Sequence, residues 1–163
     1  MRIISINLNG VRSAASKGFY EWLAKQDADI ICLQELKAQA ADMTEQMLAP
    51  HGYQGYFHYA EKKGYSGVGI YCRNKPKHVT FGLGIAEFDV EGRYLQADFA
   101  DFSVVSLYLP SGSSGEERQT VKFKFLAAFM PKLRELKASG REVIVCGDWN
   151  IAHREIGLKN WRG

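Results

Sequence analysis

The chain has 163 residues and a mass of 18.3 kDa, the size of one domain and too short for two large ones. With 46% hydrophobic and 24% charged residues its composition is globular, which excludes a disordered chain, a collagen and a long coiled coil. No apolar run approaches the ~18 residues of a membrane span, and a net charge of +3 is too weak by itself to mark a nucleic-acid binder.

In chain order, residues 2–7 (RIISIN) form a short β-branched run that reads as a strand. A helix is predicted from Arg12-Ser13 to Lys25, with Phe19, Trp22 and Leu23 at helical spacing and Ser13 or Ser16 as N-cap. Residues 30–34 (IICLQ) are continuously apolar, as in a strand buried on both faces. A helix is predicted over residues 41–48, stopped by Pro50 and Gly52. Residues 53–59, 68–73 and 78–81 read as strands separated by Gly and Pro turns. Residues 93–99 and 102–109 read as a hairpin around Ala100-Asp101. The clearest helix follows, with Val121, Phe125, Leu126, Phe129, Leu133 and Leu136 in one apolar stripe and Arg118, Lys122, Lys132 and Glu135 on the other faces. Ser139-Gly140 ends it. Residues 143–146 (VIVC) form a last buried strand before Gly147-Asp148-Trp149-Asn150. Interleaved strands and helices make the class mixed α/β or α+β.

Cys32, Cys72 and Cys146 are odd in number with no close pair, which argues against a disulfide framework or a Cys-based zinc site and for a reducing, cytoplasmic compartment. The start, MRIISINLNG, lacks the long apolar region of a signal peptide. The four histidines, His51, His58, His78 and His153, have no metal-like spacing. Charge is unevenly spread: residues 61–80 carry five bases against Glu61, residues 81–103 a net −4, and residues 115–142 a net +3. Such runs are most often solvated faces, with a basic rim around an acidic site as the alternative.

The informative pattern lies at the carboxyl ends of the strands. RIISIN runs into Asn7 and Asn9, IICLQ into Glu35, the second hairpin strand into Tyr108, and VIVC into Asp148 and Asn150. Loops at such ends hold polar groups over a rigid platform. Each residue alone is more often a turn or cap; jointly they are compatible with a metal or phosphate site.

The motifs Asn7-Leu8-Asn9-Gly10, Leu33-Gln34-Glu35-Leu36-Lys37, Tyr108-Leu109-Pro110 and Gly147-Asp148-Trp149-Asn150-Ile151 stand in the order and spacing of another set. They resemble the successive motifs of the exonuclease III and apurinic/apyrimidinic endonuclease family of DNA-repair nucleases, within the endonuclease/exonuclease/phosphatase superfamily. Ser66-Gly67-Val68-Gly69, Glu91-Gly92-Arg93 and the helix of Lys122 and Phe125 also fit, so the resemblance runs from Met1 to Gly163. It implies a four-layer α/β sandwich of the DNase I-like type and hydrolysis of DNA phosphodiesters with Mg²⁺, or Mn²⁺. The resemblance implies Asn7, Glu35, Asp148 and Asn150 as the metal site, with Glu35 the principal ligand and Asn7 completing it. Asp148 would activate the attacking water, Asn150 would donate to a phosphate oxygen, and Tyr108 would act on the phosphate as donor or phenolate. Asn9 and Ser111 would position neighbouring groups. Arg12, Lys37, Tyr65, Arg118 and Lys122 would face DNA phosphates, a role that weighs equally with a solvated surface position.

The family's later motifs, a further Asn pair, an aspartate and a Ser-Asp-His, are not in the sequence. The resemblance therefore implies an amino-terminal portion of a larger, monomeric nuclease domain acting on abasic or 3′-damaged duplex DNA. Its isolated form is expected to be inactive and to expose the apolar inner face of its first sheet, the second sheet coming mostly from the later part. Two other classes remain open: a superfamily phosphohydrolase for a small or lipid phosphoester, and a non-catalytic module whose acids and amides are caps. Convergence of Glu35, Asp148 and Asn7 in space separates the last from the others.

Overall fold

The alternation of side chains along each strand sorts the molecule into layers. A computed structural model describes residues 1–111 and 115–151. Strands β1 (Ile3–Asn7), β2 (Ile30–Gln34), β3 (Gln54–His58) and β4 (Val68–Cys72) form one sheet in the order β1-β2-β4-β3. Strands β5 (His78–Phe81), β6 (Tyr94–Asp98), β7 (Phe102–Tyr108) and β8 (Glu142–Asp148) form a second sheet in sequence order. On β2, Ile30 and Cys32 point into a core shared with Leu95, Ala97 and Val104 of the second sheet, while Ile31 and Leu33 point outward. On β7, Val104 faces inward and Val105 and Leu107 outward.

Helices cover the two outer faces. Helices α1 (Val11–Ser16) and α2 (Phe19–Leu23) bury Val11, Phe19, Tyr20 and Leu23 against Ile31, Leu33 and Tyr71. A turn α3 (Glu45–Leu48) adds Met47 to the same layer. After a turn α4 (Ala86–Asp89), the long helix α5 (Glu116–Ala138) packs Phe125 and Phe129 on Tyr94, Val105 and Leu107. The result is the expected four-layer α/β sandwich. No helix among the described residues is long and apolar enough to cross a membrane.

Four expectations need correction. The helix from Ser13 to Lys25 is two helices, because Gly18 takes φ 87°, a conformation open to glycine. Their N-caps are Gly10 and Gly18, with no serine cap. The predicted 41–48 helix is a 3₁₀ turn, Ala40–Asp42, and the separate turn α3, split where Met43 is extended and Thr44 caps Met47 N–H at 3.3 Å. On α5, Val121 is exposed and Lys122 buried, the reverse of the stripe expected. The Lys122 stem lies inside while its ammonium donates to the Asn150 carbonyl.

The fourth concerns the second sheet, whose four strands all lie between residues 78 and 148. They cover the inner face of the first sheet, so β2 and β4 are buried throughout, and the bare face expected from the resemblance is not present. The partly covered strands are instead the edge strands β1, β3, β5 and β8.

Candidate active site

Each sheet contains one parallel pair, β1 with β2 and β7 with β8, in registers that set Asn7 beside Gln34 and Tyr108 beside Asp148. The two pairs face each other at the same edge of the sandwich, so their carboxyl ends meet. Strand parity does the rest. Ile3, Val104 and Ile144 face the inter-sheet core, so Asn7, Tyr108 and Asp148, an even number of residues further on, project into the same gap.

The side chains converge there. The Asn7 amide nitrogen donates to Glu35 Oε1 at 3.1 Å and to Asp148 Oδ2 at 2.8 Å, bridging two carboxylates from different sheets. The Tyr108 hydroxyl donates to Glu35 Oε1 at 2.7 Å. Lys37 Nζ lies 3.0 Å from Glu35 Oε2 and 2.5 Å from Asn9 Oδ1. Asn9 N–H donates to Asn7 Oδ1 at 2.9 Å, and Asn150 N–H to Asp148 Oδ1 at 3.0 Å. The Asn150 side-chain amide donates to the Leu109 carbonyl at 2.8 Å. Acids and amides serving as separate caps do not describe this arrangement.

The backbone is bent to make it. Asn9, Glu35, Lys37, Ser66 and Asn150 all have φ between 47° and 53°. Asparagine tolerates this region, but for Glu, Lys and Ser it costs about 1–2 kcal/mol per residue. Pairing across loops holds the strain: Gly10 N–H donates to Glu35 O, Leu36 N–H to Gly67 O and Lys37 N–H to Ser66 O. Beneath the site, buried Gln34 donates to Ser106 at 3.2 Å and to Ser5 at 3.3 Å, and Ser106 donates to Leu33 O at 2.9 Å.

Electrostatics follow from these contacts. Burial by itself raises the Glu35 carboxyl, but hydrogen bonds from Asn7, Tyr108 and Lys37, with the Lys37 charge, outweigh it and hold Glu35 below its ordinary value. Burial, then the hydrogen bond to Glu35 and its negative charge, push the Tyr108 phenol well up; the nearby Arg93 charge acts in the opposite direction. Tyr108 is therefore a protonated donor, and the phenolate alternative is disfavoured.

Of the residues expected at the site, Asn7, Asn9, Glu35, Tyr108, Asp148 and Asn150 come together. Ser111 lines a neighbouring cavity of about 300 Å³ with Lys62, Tyr65, Tyr108 and Arg118. Lys37 is paired inside the cluster. Lys122 is buried against Asn150, which takes it off the surface where a DNA contact was expected. Arg12 is exposed and binds the Lys37 carbonyl at 3.2 Å and Asp42 at 3.5 Å. Trp149 packs on Phe129 with ring centroids 6.1 Å apart, as a core residue; His153 and Trp161 lie outside the described residues. Arg93, matched only as part of a motif, proves to be buried next to Tyr108.

Comparison with known proteins identifies the relatives of the chain. The model of the endonuclease/exonuclease/phosphatase family matches residues 4–163. The chain is 40% identical over 161 residues to an exodeoxyribonuclease of Bacillus subtilis, covering 98% of this chain and 62% of that protein. It is also 40% identical to a DNA-(apurinic or apyrimidinic site) endonuclease of Dictyostelium discoideum, over 98% of this chain and 44% of that one. The APE2 catalytic domain of Xenopus laevis superposes with a TM-score of 0.82 at 30% identity, over 94% of this chain and 60% of that domain. An AP endonuclease from Archaeoglobus fulgidus does so with 0.83 at 29%, over 96% and 60%. The chain thus spans roughly half to three-fifths of the length of these relatives. On sequence and fold, it belongs to the endonuclease/exonuclease/phosphatase family.

Proposed function

We propose that the protein is a divalent-metal-dependent DNA-repair nuclease that hydrolyses DNA phosphodiesters at abasic sites and at 3′ ends. The observation that carries this reading is the meeting of Glu35, Asp148, Asn7 and Tyr108 at one end of the sandwich. The names of the relatives, an exodeoxyribonuclease and AP endonucleases, favour DNA over a small or lipid phosphoester.

The donor set fits a hard cation. It consists of carboxylate and amide oxygens with no thiol or imidazole, the combination Mg²⁺ and Mn²⁺ accept alongside waters and substrate oxygens. Glu35 already attracts a cationic group, the Lys37 ammonium at 3.0 Å. Glu35, Asp148 and the Asn7 oxygen would hold the ion, the last after a half-turn of an amide whose oxygen now accepts from Asn9 N–H. Asn150 is adjacent through its bond to Asp148. A bound Mg²⁺ supplies positive charge to the phosphoryl oxygen and the leaving 3′ oxygen.

The chain's own groups supply the remainder. Asp148 has lone pairs beyond those engaged by Asn7 and Asn150 and accepts a proton from the attacking water. The second N–H of the Asn150 amide donates to a non-bridging phosphate oxygen without adding negative charge. Tyr108 holds Glu35 through its hydroxyl and presents the phenol edge to the phosphate. Asn9 keeps Lys37 in place, and Ser111 with Arg118 and Tyr65 lines the adjoining cavity along the strand's path. Arg12 and Arg118, both exposed, are the phosphate contacts in this reading; Lys37 and Lys122 act within the site. A cytoplasmic protein working as a monomer, with residues 1–163 alone inactive, is part of the same proposal.

The test is a nuclease assay of the full-length protein on abasic and recessed-3′-end duplexes, with and without Mg²⁺. Metal-dependent cleavage of either substrate supports the reading. Cleavage of a small phosphomonoester without cleavage of DNA would replace it with the other phosphohydrolase class.

A further inference from the structure

Among the described residues the buried cations are Arg93 and Lys122, and Arg93 is the more fully engaged. Its side chain is 3% exposed, although the residue stands immediately before β6 and lines the cavity that adjoins the site. A guanidinium in such a place must be paired on every side, since an unpaired buried charge costs several kcal/mol. Here Nε donates to Glu91 Oε2 at 2.5 Å, Nη2 to the Tyr65 hydroxyl at 2.7 Å and Nη1 to the Tyr108 carbonyl at 3.1 Å. The guanidinium carbon also lies 5.1 Å from the centre of the Tyr108 ring and 5.6 Å from that of Tyr65, within cation–π range. Main-chain pairing completes the attachment, with Tyr108 N–H donating to the Arg93 carbonyl at 3.0 Å.

Tyr108 is therefore gripped at three points by one residue: its N–H, its carbonyl and its ring. At the far end of that ring the hydroxyl meets Glu35 at 2.7 Å. Three of the five N–H donors of the Arg93 fork go to Glu91, Tyr65 and Tyr108, and its 3% exposure keeps it largely off the surface where a DNA phosphate would lie. Glu91, 29% exposed, anchors the other side of the fork.

We propose that Arg93 is a positioning residue for the nuclease reaction, acting through Tyr108. It fixes the phenol so that the hydroxyl holds Glu35 in the geometry needed at the phosphate, and Glu91 and Tyr65 hold Arg93 in turn. The proposal rests on the nuclease reading given above. A lysine cannot substitute, because a compact ammonium cannot reach the three separated acceptors that the planar fork spans.

The experiment is a double-mutant cycle in the full-length protein on abasic duplex with Mg²⁺, comparing wild type, R93M, Y108F and R93M/Y108F. R93K and E91Q/R93M, which leaves no unpaired acid, accompany them. Thermal melts establish that each variant is folded. Expected for R93M is a fall in kcat of ten-fold or more with KM within two-fold, for R93K a similar fall, and for the double variant a kcat no more than two-fold below that of Y108F. Losses that multiply in the double variant would overturn the proposal, as would a raised KM with unchanged kcat, the sign of a DNA contact. Full activity in folded E91Q/R93M would also overturn it. A wild-type protein inactive on every DNA substrate would instead sink the nuclease reading and leave a distinct result.

Discussion

The Tyr108 hydroxyl donates to Glu35 Oε1 at 2.7 Å, joining the end of one sheet to the loop that leaves the other. Gln34, the residue before Glu35, makes a second link between the sheets, donating to Ser106 at 3.2 Å. The Tyr108–Glu35 bond also assigns chemistry: a phenol that donates to a carboxylate, with burial and that carboxylate both opposing its ionisation, stays protonated.

Replacement of this hydroxyl gives the first prediction. Tyr108→Phe is expected to lower kcat on abasic duplex by about 10–100-fold, the cost of losing the partner that orients Glu35. Stability should change by only about 1 kcal/mol, since Glu35 Oε1 keeps the Asn7 bond. Because the phenol is raised above its ordinary 10.0, wild-type activity should show no loss from phenolate formation below that pH. Steady-state kinetics and urea unfolding check the two parts.

Glu35 carries a stability signature. Its folded-state value is lowered from an ordinary 4.5, so its contribution is present above pH 4.5 and is lost as pH falls through the lower, folded value. Glu35→Gln lacks that contribution. The difference in Tm between wild type and Glu35→Gln should be largest near neutrality and shrink as the pH is taken below 4.5. A difference that grows on acidification would mean that the carboxyl is not held ionised by Asn7, Tyr108 and Lys37.

Lys37 pays a backbone penalty for its position, at φ 48°. Lys37→Gly removes a strained conformation worth about 1–2 kcal/mol and an ion pair with Glu35 of about 0–1 kcal/mol. It is therefore expected to fold with wild-type stability, within about 1 kcal/mol, yet to lose activity through the loosened Glu35. Thermal denaturation and the cleavage rate, measured on one preparation, test this separation of stability from function.

Lys122 is buried and donates to the Asn150 carbonyl. Lys122→Ala leaves that carbonyl without this partner and a gap along the helix, for a loss of about 1–3 kcal/mol. Lys122→Met, which keeps the stem, should recover part of it. If both variants match wild type in urea unfolding, the side chain is a surface lysine after all.

Much of this was readable in the residues because strand formation here is decided locally. The continuous apolar run IICLQ became a fully buried central strand, β2, with the expected bounds. The strand-end residues Asn7, Tyr108 and Asp148 met because parallel pairing and two-residue alternation are both sequence-level regularities. The helical misreadings arose where backbone torsions, not apolar spacing, decided the outcome. Gly18 broke one helix at φ 87°, and extended Met43 split another. The inner position of Lys122 was hidden because its partner is a main-chain carbonyl 28 residues away. Arg93 was hidden for a similar reason: its partners Tyr65 and Tyr108 come from different loops and sheets, and only the odd presence of Arg opening an apolar strand marked it. The second sheet was expected mostly from later motifs because the resemblance, not residues 78–148, guided that expectation.

The central claim is that Glu35 and Asp148, bridged by Asn7, form one metal-dependent phosphodiester site. The most direct measurement is the single-turnover cleavage rate of an abasic duplex by the full-length wild type, Glu35→Gln and Asp148→Asn across a Mg²⁺ titration. The account predicts a wild-type rate that vanishes when the metal is chelated. Glu35→Gln should need far more Mg²⁺ for half-maximal rate, and Asp148→Asn should stay slow by at least about 10²-fold at saturating metal. Cleavage by either variant at the wild-type rate and the wild-type Mg²⁺ midpoint would contradict it.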